Sequence, residues 1–307
     1  MGIRYLLGRL AVMIPVFFLV VTGVFFMIRF APGGPFDSEK KVPPQIMKNL
    51  EKKYHLDEPL LYQYGRYLKD LARLDLGPSF KHANRTVNEI IGEAFPVSVE
   101  LGLLALVWAL IIGIGAGGLA AIKPNSFWFD YLPMSISIMG ICLPTFVIGP
   151  LLVLVFGLWF ELLPVAGWNS WEDRILPSAT LGFAYAAFIA RLTRGGLMEI
   201  RSMDFVRTAR AKGLSEPQIL VRHMLRGGML PVVSFLGPAL AGLISGSLVT
   251  EMIFNIPGLG RFFIQSALNR DYTVVMGTSL LYFSLIFACN FLVDIAYAVL
   301  DPRVRYE

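Results

Sequence analysis

The chain is poor in the side chains that most often carry chemistry. It has three histidines, His55, His82 and His223, and two cysteines, Cys142 and Cys289. All three histidines fall in polar connecting segments, and none stands at metal-ligand spacing from another ligand. HExxH, CxxC and GxSxG are absent. With no histidine in any apolar run, a Ser–His or Cys–His couple has nowhere to assemble inside a bilayer, which argues against an intramembrane protease. GxxxxGK[ST], the backbone cradle for nucleotide phosphates, is missing too, so any ATP this protein depends on is hydrolysed by another chain. No ladder of Asp, Glu and His threads the apolar runs as in a proton relay, and no inverted repeat is evident. The two cysteines lie in apolar runs and read as small core residues. Charge is scarce as well: 16% of residues, against about a quarter in a soluble globular chain.

What is present is apolar. Hydrophobic residues make up 55% of the 307 positions, and the mean hydropathy is +0.62. Six long runs carry most of this: Leu10–Ile28, Leu101–Ile122, Tyr131–Phe160, Ile175–Ala190, Gly227–Thr250 and Tyr272–Val293. Most reach the roughly 18–20 residues a helix needs to cross the hydrocarbon core. The fourth is short, and Arg174 and Arg191 at its ends can snorkel. Only helices or closed barrels satisfy the backbone in lipid, so the expectation is an all-α membrane protein with six transmembrane helices. The first run is too long for a secretory signal and is followed by RFAPGGPFD, with no cleavage-type site, so it reads as a retained helix. The chain reads as one membrane domain over 1–307: a first helix (1–30), an external helical loop (31–95) and a five-helix core (96–307) with a loop at 191–228.

Positive charge sets the expected orientation. With the N-terminus in the cytoplasm, thirteen Lys/Arg fall on the cytoplasmic side and four on the short external segments, as the positive-inside rule requires. Both termini are then cytoplasmic. The loop 31–95 balances ten Lys/Arg with nine Asp/Glu, and loops of that length translocate largely regardless of charge. In it, Asp57 as N-cap, Pro59 in the first turn and apolar residues at helical spacing from Leu60 to Leu71 predict one helix. Gln45–Tyr54 predicts another. Asn84-Arg85-Thr86 matches a glycosylation pattern that is common by chance. Small residues at Gly113–Gly118 and Gly237–Ser247 suit close helix packing. Pro15, Pro133, Pro144, Pro150 and Pro238 imply kinks. Glu251 and Asp294 are charged residues within the runs. Each either lines a polar pathway or pairs with a neighbour.

The segment Arg191–Arg226 is the unusual one. It holds eight basic and three acidic residues. Its apolar positions keep helical spacing on either side of Gly213, a C-terminal cap, and Ser215 with Pro217 restarts a helix. One reading is a basic loop attracted to anionic lipid. The other is a docking element, since lipid attraction needs no defined turn and short helices need a surface to pack on.

DFVRTARAKGLSEPQILVRHMLRGGMLPVV resembles the cytoplasmic loop of binding-protein-dependent ABC importer permeases, with Arg207 where that loop has its Glu and Leu225-Arg226 in place of Leu-Pro. RTARAKG resembles the peptide-transport branch. FAPGGPF, YHLDEPLLYQYGRYLKDL with LGPSF, IPGLGRFFIQSALNRDY and DPRVRY are similar to the B-type permease subunits of oligopeptide importers, which extends the likeness over nearly the whole chain. The resemblance implies a type I importer fold in the bacterial cytoplasmic (inner) membrane. It implies a non-catalytic transport subunit that binds no cofactor, with ATP and Mg on partner chains. The partners implied are a second homologous permease, one or two P-loop ATPases, an external peptide-binding protein and membrane lipid, with no nucleic acid. Cargo other than oligopeptides (dipeptides, nickel chelates, another small solute) fits the same architecture, whereas a free-standing channel or an intramembrane enzyme fits less well. The resemblance further implies a coupling helix over Asp204, Phe205, Val206, Arg207, Thr208, Ala209, Arg210, Ala211, Lys212, Gly213 and Leu214. In it Gly213 makes the turn, Ala209 and Ala211 allow close approach, and Arg207, Arg210 and Lys212 face acids on the ATPase.

Overall fold

The computed structural model describes residues 3–30, 33–36 and 44–300. The DPRVRY motif lies outside them. All regular elements among the described residues are helices. In chain order they are α1 (Ile3–Phe30), α2 (Pro44–Lys53), α3 (Leu60–Leu71), α4 (Val87–Ile122), a π-helical turn (Phe127–Tyr131), α5 (Leu132–Cys142), α6 (Thr145–Leu152), a second π segment (Val153–Trp159), α7 (Glu172–Arg201), α8 (Asp204–Ala211), α9 (Glu216–Ile219), a third π turn (Leu220–Met224), α10 (Leu225–Gly228), α11 (Leu230–Ser245), α12 (Leu248–Ile253), α13 (Leu259–Asn269) and α14 (Tyr272–Leu300). Five spans are long and apolar enough to cross a bilayer, and a sixth results if the bent pair Phe127–Cys142 and Thr145–Trp159 counts as one.

The described residues divide into two compact units. One holds those up to Pro96 with Gly258–Phe287, and the other holds Val97–Pro257 with those from Ala288 onward. In the first unit, aromatic rings dock α3 on α1. Tyr67 stacks on Phe25 at 5.4 Å between centroids, and Thr22 Oγ1 shares a 2.6 Å hydrogen bond with the Tyr64 hydroxyl. Both expected loop helices are present, but Asp57 is not the cap of α3. Pro59 stands at that position without a side-chain cap. Gln63 turns back instead, its Nε2 donating to the Leu56 and Glu58 carbonyls at 3.1 and 2.7 Å.

α4 begins well ahead of the apolar run at Leu101 because Thr86 and Glu89 form a capping box. The Glu89 N–H donates to Thr86 Oγ1 at 3.2 Å, and the Thr86 N–H donates to Glu89 Oε2 at 2.9 Å. Thr86 of the chance glycosylation pattern is thus a helix cap. The LGPSF turn is held by Asp271, which is fully buried. That carboxylate accepts from Ser79 Oγ at 2.5 Å, from the Phe80 and Lys81 N–H groups at 3.1 and 3.2 Å, and from Thr273 Oγ1 at 3.0 Å. Donors of this number satisfy a buried carboxylate that would otherwise be too costly to desolvate.

In the second unit α4 and α7 touch through backbone. A Cβ on Gly117 would come within 2.5 Å of the Ala190 carbonyl, and one on Gly113 within 2.7 Å of Ile189. The small residues at Gly113–Gly118 therefore do what their spacing suggests. Of the five prolines, Pro144 produces the sharp break: the expected single span Tyr131–Phe160 bends by 115° between α5 and α6. Leu143 is extended, with ψ 126°. The reason is steric, since a residue before proline is pushed out of the helical region and proline has no N–H to continue the ladder. Pro15, Pro150 and Pro238 sit inside continuous helices and Pro133 in the first turn of α5. Cys142, expected in a core, ends α5 at that break and is exposed; Cys289 is buried. The short fourth run becomes a 30-residue helix because α7 continues past Arg191 into the segment read as a loop.

Replacing Gly117 with Leu should force α4 from α7 and lower the thermal midpoint of the detergent-purified chain by several degrees. Gly115→Leu, where a Cβ meets nothing within 4 Å, should leave it unchanged. A differential scan of both variants is the check.

Candidate functional site

The segment 191–228 is built on the end of α7. Ser202 and Met203 turn the chain, and α8 (Asp204–Ala211) lies back on the second unit. Its Val206 and Ala209 are buried with Leu197, Ala121, Ile219 and Met224, and Leu214 packs at the edge. The end of α8 is a Schellman turn: the Gly213 N–H donates to the Arg210 carbonyl at 3.0 Å and the Leu214 N–H to the Ala209 carbonyl at 3.4 Å. Gly213 holds φ +82°, where a Cβ is strained. Ser215 and Gln218 then form a capping box and Pro217 sits in the first turn of α9. Gly213, Ser215 and Pro217 therefore play the local roles read from the sequence.

Two guanidinium groups lock this arrangement. Arg201 Nη1 donates to the Ala121 and Ile122 carbonyls at the end of α4, at 2.7 and 3.4 Å, and to Glu216 Oε2 at 3.2 Å. A cation there satisfies orphan carbonyls and the negative end of the helix dipole. Arg210 Nε donates to Glu216 Oε1 at 2.7 Å and Nη2 to Oε2 at 3.3 Å. The Arg210 hydrogen bond, reinforced by Arg201, holds the Glu216 carboxyl below the usual range, and the same bond pushes the Arg210 guanidinium up. Nearby, the buried Asp130 takes Arg194 Nε and Nη2 at 2.5 and 2.8 Å and the Asn125 N–H at 2.9 Å.

The eleven expected residues thus divide. Val206 and Ala209 face their own unit, and Arg210 is committed to Glu216. Asp204, Phe205, Arg207, Thr208, Ala211, Lys212 and Gly213 are exposed; Arg207 Nη1 lies 3.8 Å from Asp204 Oδ1. The result is a short helix held in place from behind, presenting one aromatic side chain, Phe205, and two cationic ones, Arg207 and Lys212, beside Asp204. Such a face suits recognition of a protein surface and contains no group placed for covalent chemistry. Glu251 is elsewhere, on α12. It is fully buried, with Ser98 Oγ and Ser247 Oγ donating to its Oε1 at 2.7 and 2.6 Å. Asp294 lies on α14 and its side chain is outside the described residues.

Sequence reasoning missed the clamp at Arg201 and Glu216, and it missed Gly196 and Gly228. A Cβ on Gly196 would meet the Gly228 carbonyl, so the two glycines bring α10 against α7. The signal was the repeated Arg-Gly-Gly at 194–196 and 226–228.

Residues 95–306 match the family described as binding-protein-dependent transport system inner membrane component. The chain belongs to this family. Over 99% of its length it is 46% identical to the oligopeptide transport system permease protein OppB of Haemophilus influenzae, all of which is covered. It is also 42% identical to the dipeptide transport system permease protein DppB of Bacillus subtilis, over 98% of each chain. Among solved structures, an inward-facing form of the MetNI methionine ABC transporter is similar with a TM-score of 0.58 at 16% identity, covering 69% of this chain and 96% of that one. That likeness shows the fold, the all-helical architecture expected.

The Glu216 carboxyl gives this transport component a pH dependence with a definite sign. A lowered folded pKa stabilises at every pH above the ordinary carboxylate value of about 4.3, and the stabilisation is lost as pH falls through the lower folded value. A fluorophore on an engineered Cys at Lys212 should therefore report an immobile α8 from pH 7 to 5 and rising mobility in stronger acid. Glu216→Gln should be mobile already at pH 7. Identical profiles for the two proteins would remove the clamp.

Proposed function

We propose that this chain is a membrane-spanning, non-catalytic permease subunit of an ATP-driven importer of oligopeptides, and that α8 with its Gly213 turn is the helix through which it is driven. The observation that carries the driving role is the exposed face of α8 on a helix fixed from behind by Val206, Ala209 and the Arg210–Glu216–Arg201 clamp. A lipid-attracted basic loop needs neither a Schellman turn nor a buried rear face. The cargo rests on the full-length similarity to a permease protein of an oligopeptide transport system.

On this reading both termini are cytoplasmic, as the arginine and lysine distribution favours. The exposed Phe205, Arg207, Thr208, Ala211 and Lys212 seat in a groove of a P-loop ATPase, one of one or two such partners that bind ATP and Mg. The position of Phe205, half exposed at 47%, is that of an apolar anchor inside a cationic rim. Closure of the ATPases displaces α8. Because α8 is clamped to the ends of α4 and α7, the displacement is passed to those helices as a rigid-body, two-state movement. A second homologous permease supplies the other half of the pathway, and an external binding protein delivers the peptide. Glu251 and Asp294 are proposed to stand near that pathway, Glu251 as a hydrogen-bonded carboxylate within the wall. Dipeptide import is the second reading, favoured by the similarity to the Bacillus subtilis permease protein.

In proteoliposomes holding the assembled complex, Phe205→Asp, Lys212→Glu and Gly213→Pro should each lower ATP-driven peptide uptake by an order of magnitude or more, while insertion and assembly of the chain persist. Uptake at the wild-type rate in all three would end the coupling assignment. Competition of a labelled pentapeptide by unlabelled dipeptide, measured in the same vesicles, separates the two cargo readings.

A further inference from the structure

The first unit contains a cavity of 330 Å³ among α1, α3, the 75–80 turn and the start of α14. At roughly 30 Å³ per water it has room for about ten waters, at the small end of ligand-sized pockets. Its walls are aromatic, with Phe25, Tyr54, Tyr67, Phe80 and Tyr272. Most of the polar groups around it are already engaged. Arg66 Nη2 donates to both oxygens of Glu58 at 2.7 and 3.1 Å, and His55 Nδ1 is 3.0 Å from the same carboxylate. Asp75 Oδ1 accepts from the Gly77 N–H at 2.9 Å, and the Tyr272 hydroxyl donates to the Gly33 carbonyl at 2.8 Å.

Four charges lining the cavity, Arg29, Lys53, Asp70 and Asp75, are not engaged by an opposite charge among the described residues, and of these Asp75 already holds the Gly77 N–H. The Arg29 guanidinium lies over the Phe25 ring, at 5.4 Å. The Lys53 ammonium meets only the Tyr54 ring, at 5.5 Å. The Asp70 carboxylate has neither an ion-pair nor a hydrogen-bond partner there. Three polar atoms of lining residues, Arg29 Nε, Tyr67 Oη and Gln63 Oε1, are buried without a hydrogen-bond partner. Buried polar atoms normally have one, so a cluster of orphans around one cavity marks a place where a partner belongs.

We propose that this cavity binds a small zwitterion: a free amino acid or a dipeptide with unblocked termini. The carboxylate of the ligand faces Arg29 and Lys53, its ammonium faces Asp70, and its side chains lie on the aromatic walls. An anion alone would leave Asp70 unmatched and a cation alone would leave Arg29 unmatched. The inference deepens the peptide-import reading and rests on it. In the orientation given above the cavity lies on the outer side, so the permease itself, and not only a delivering protein, inspects the termini of its cargo.

The test is calorimetric titration of leucyl-leucine into the full-length chain, purified with its membrane partners in nanodiscs and free of any external binding protein. Saturable binding is expected, weakened roughly tenfold or more by Arg29→Gln or Asp70→Asn, as loss of a charge-assisted contact requires. Amidating the dipeptide should weaken its binding to the wild type but not further to Arg29→Gln. Acetylating it should do the same with respect to Asp70→Asn. Tighter binding of either leucine or the dipeptide sets the ligand length and supports the site. The absence of saturable binding, or equal binding of free and doubly blocked dipeptide to the wild-type chain, overturns it and needs no variant to fold. Uptake by the assembled complex is measured in parallel. Uptake without such binding overturns this site alone, whereas binding without any ATP-driven uptake overturns the transport reading and leaves the site.

Discussion

The geometry of the proposed coupling surface depends on one side chain, Arg201. It is the last residue of α7, and its guanidinium reaches the terminal carbonyls of α4 and the Glu216 carboxylate together. α4 and α7 are two long spans of the second unit, and Glu216 opens the helix that follows the Gly213 turn. Without that contact α8 would hang from two flexible joints. With it, three helix ends converge on a single guanidinium nitrogen, Nη1, which donates to the two α4 carbonyls and to the Glu216 carboxylate. The apolar seat of Val206 and Ala209 then has a fixed surface to meet, and an eight-residue helix that would be unstable alone in water is held.

Three buried carboxylates follow a related rule, that charge buried in or beside a membrane is tolerated where donors meet it. Asp271 takes five donors, the Asp130 carboxylate takes two nitrogens of Arg194, and Glu251 takes the Ser98 and Ser247 hydroxyls. Helix association itself is left to close packing. Gly113 and Gly117 on α4 and the Gly196–Gly228 contact allow backbones to meet where side chains would hold them apart.

Much of this was legible in the residues. Hydropathy located the spans because a helix in lipid has no other way to satisfy its backbone. Gly213, Ser215 and Pro217 announced a turn because each is suited to one backbone conformation or one cap. The features that escaped are those in which two distant segments decide the outcome. Pro144 was read as one kink among five, yet only the neighbouring geometry distinguishes a proline that ends a helix, as there, from Pro150 and Pro238, which ride inside one. Asp57 fitted a cap by local pattern, but the chain placed Pro59 at that position. The start of α4 was written in Thr86 and Glu89 and was obscured by a stretch of polar residues that hydropathy discounts. Arg210 read as a free cation because its partner is six positions away across a turn.

The unbroken length of α7 has a mechanical consequence. Its one proline, Pro177, lies near its first turn, so from there to Arg201 the hydrogen-bond ladder is continuous, a rod of about 37 Å at 1.5 Å per residue within a helix of about 45 Å. A rod of that length pivoting where Gly113 and Gly117 of α4 bear on it is a lever. From that pivot the far arm is about 27 Å long, so a tilt of about five degrees shifts its end by about 2 Å, and no side chain along the way has to change rotamer. Stiffness of this kind converts a small push at one face of the membrane into a displacement large enough to matter at the other.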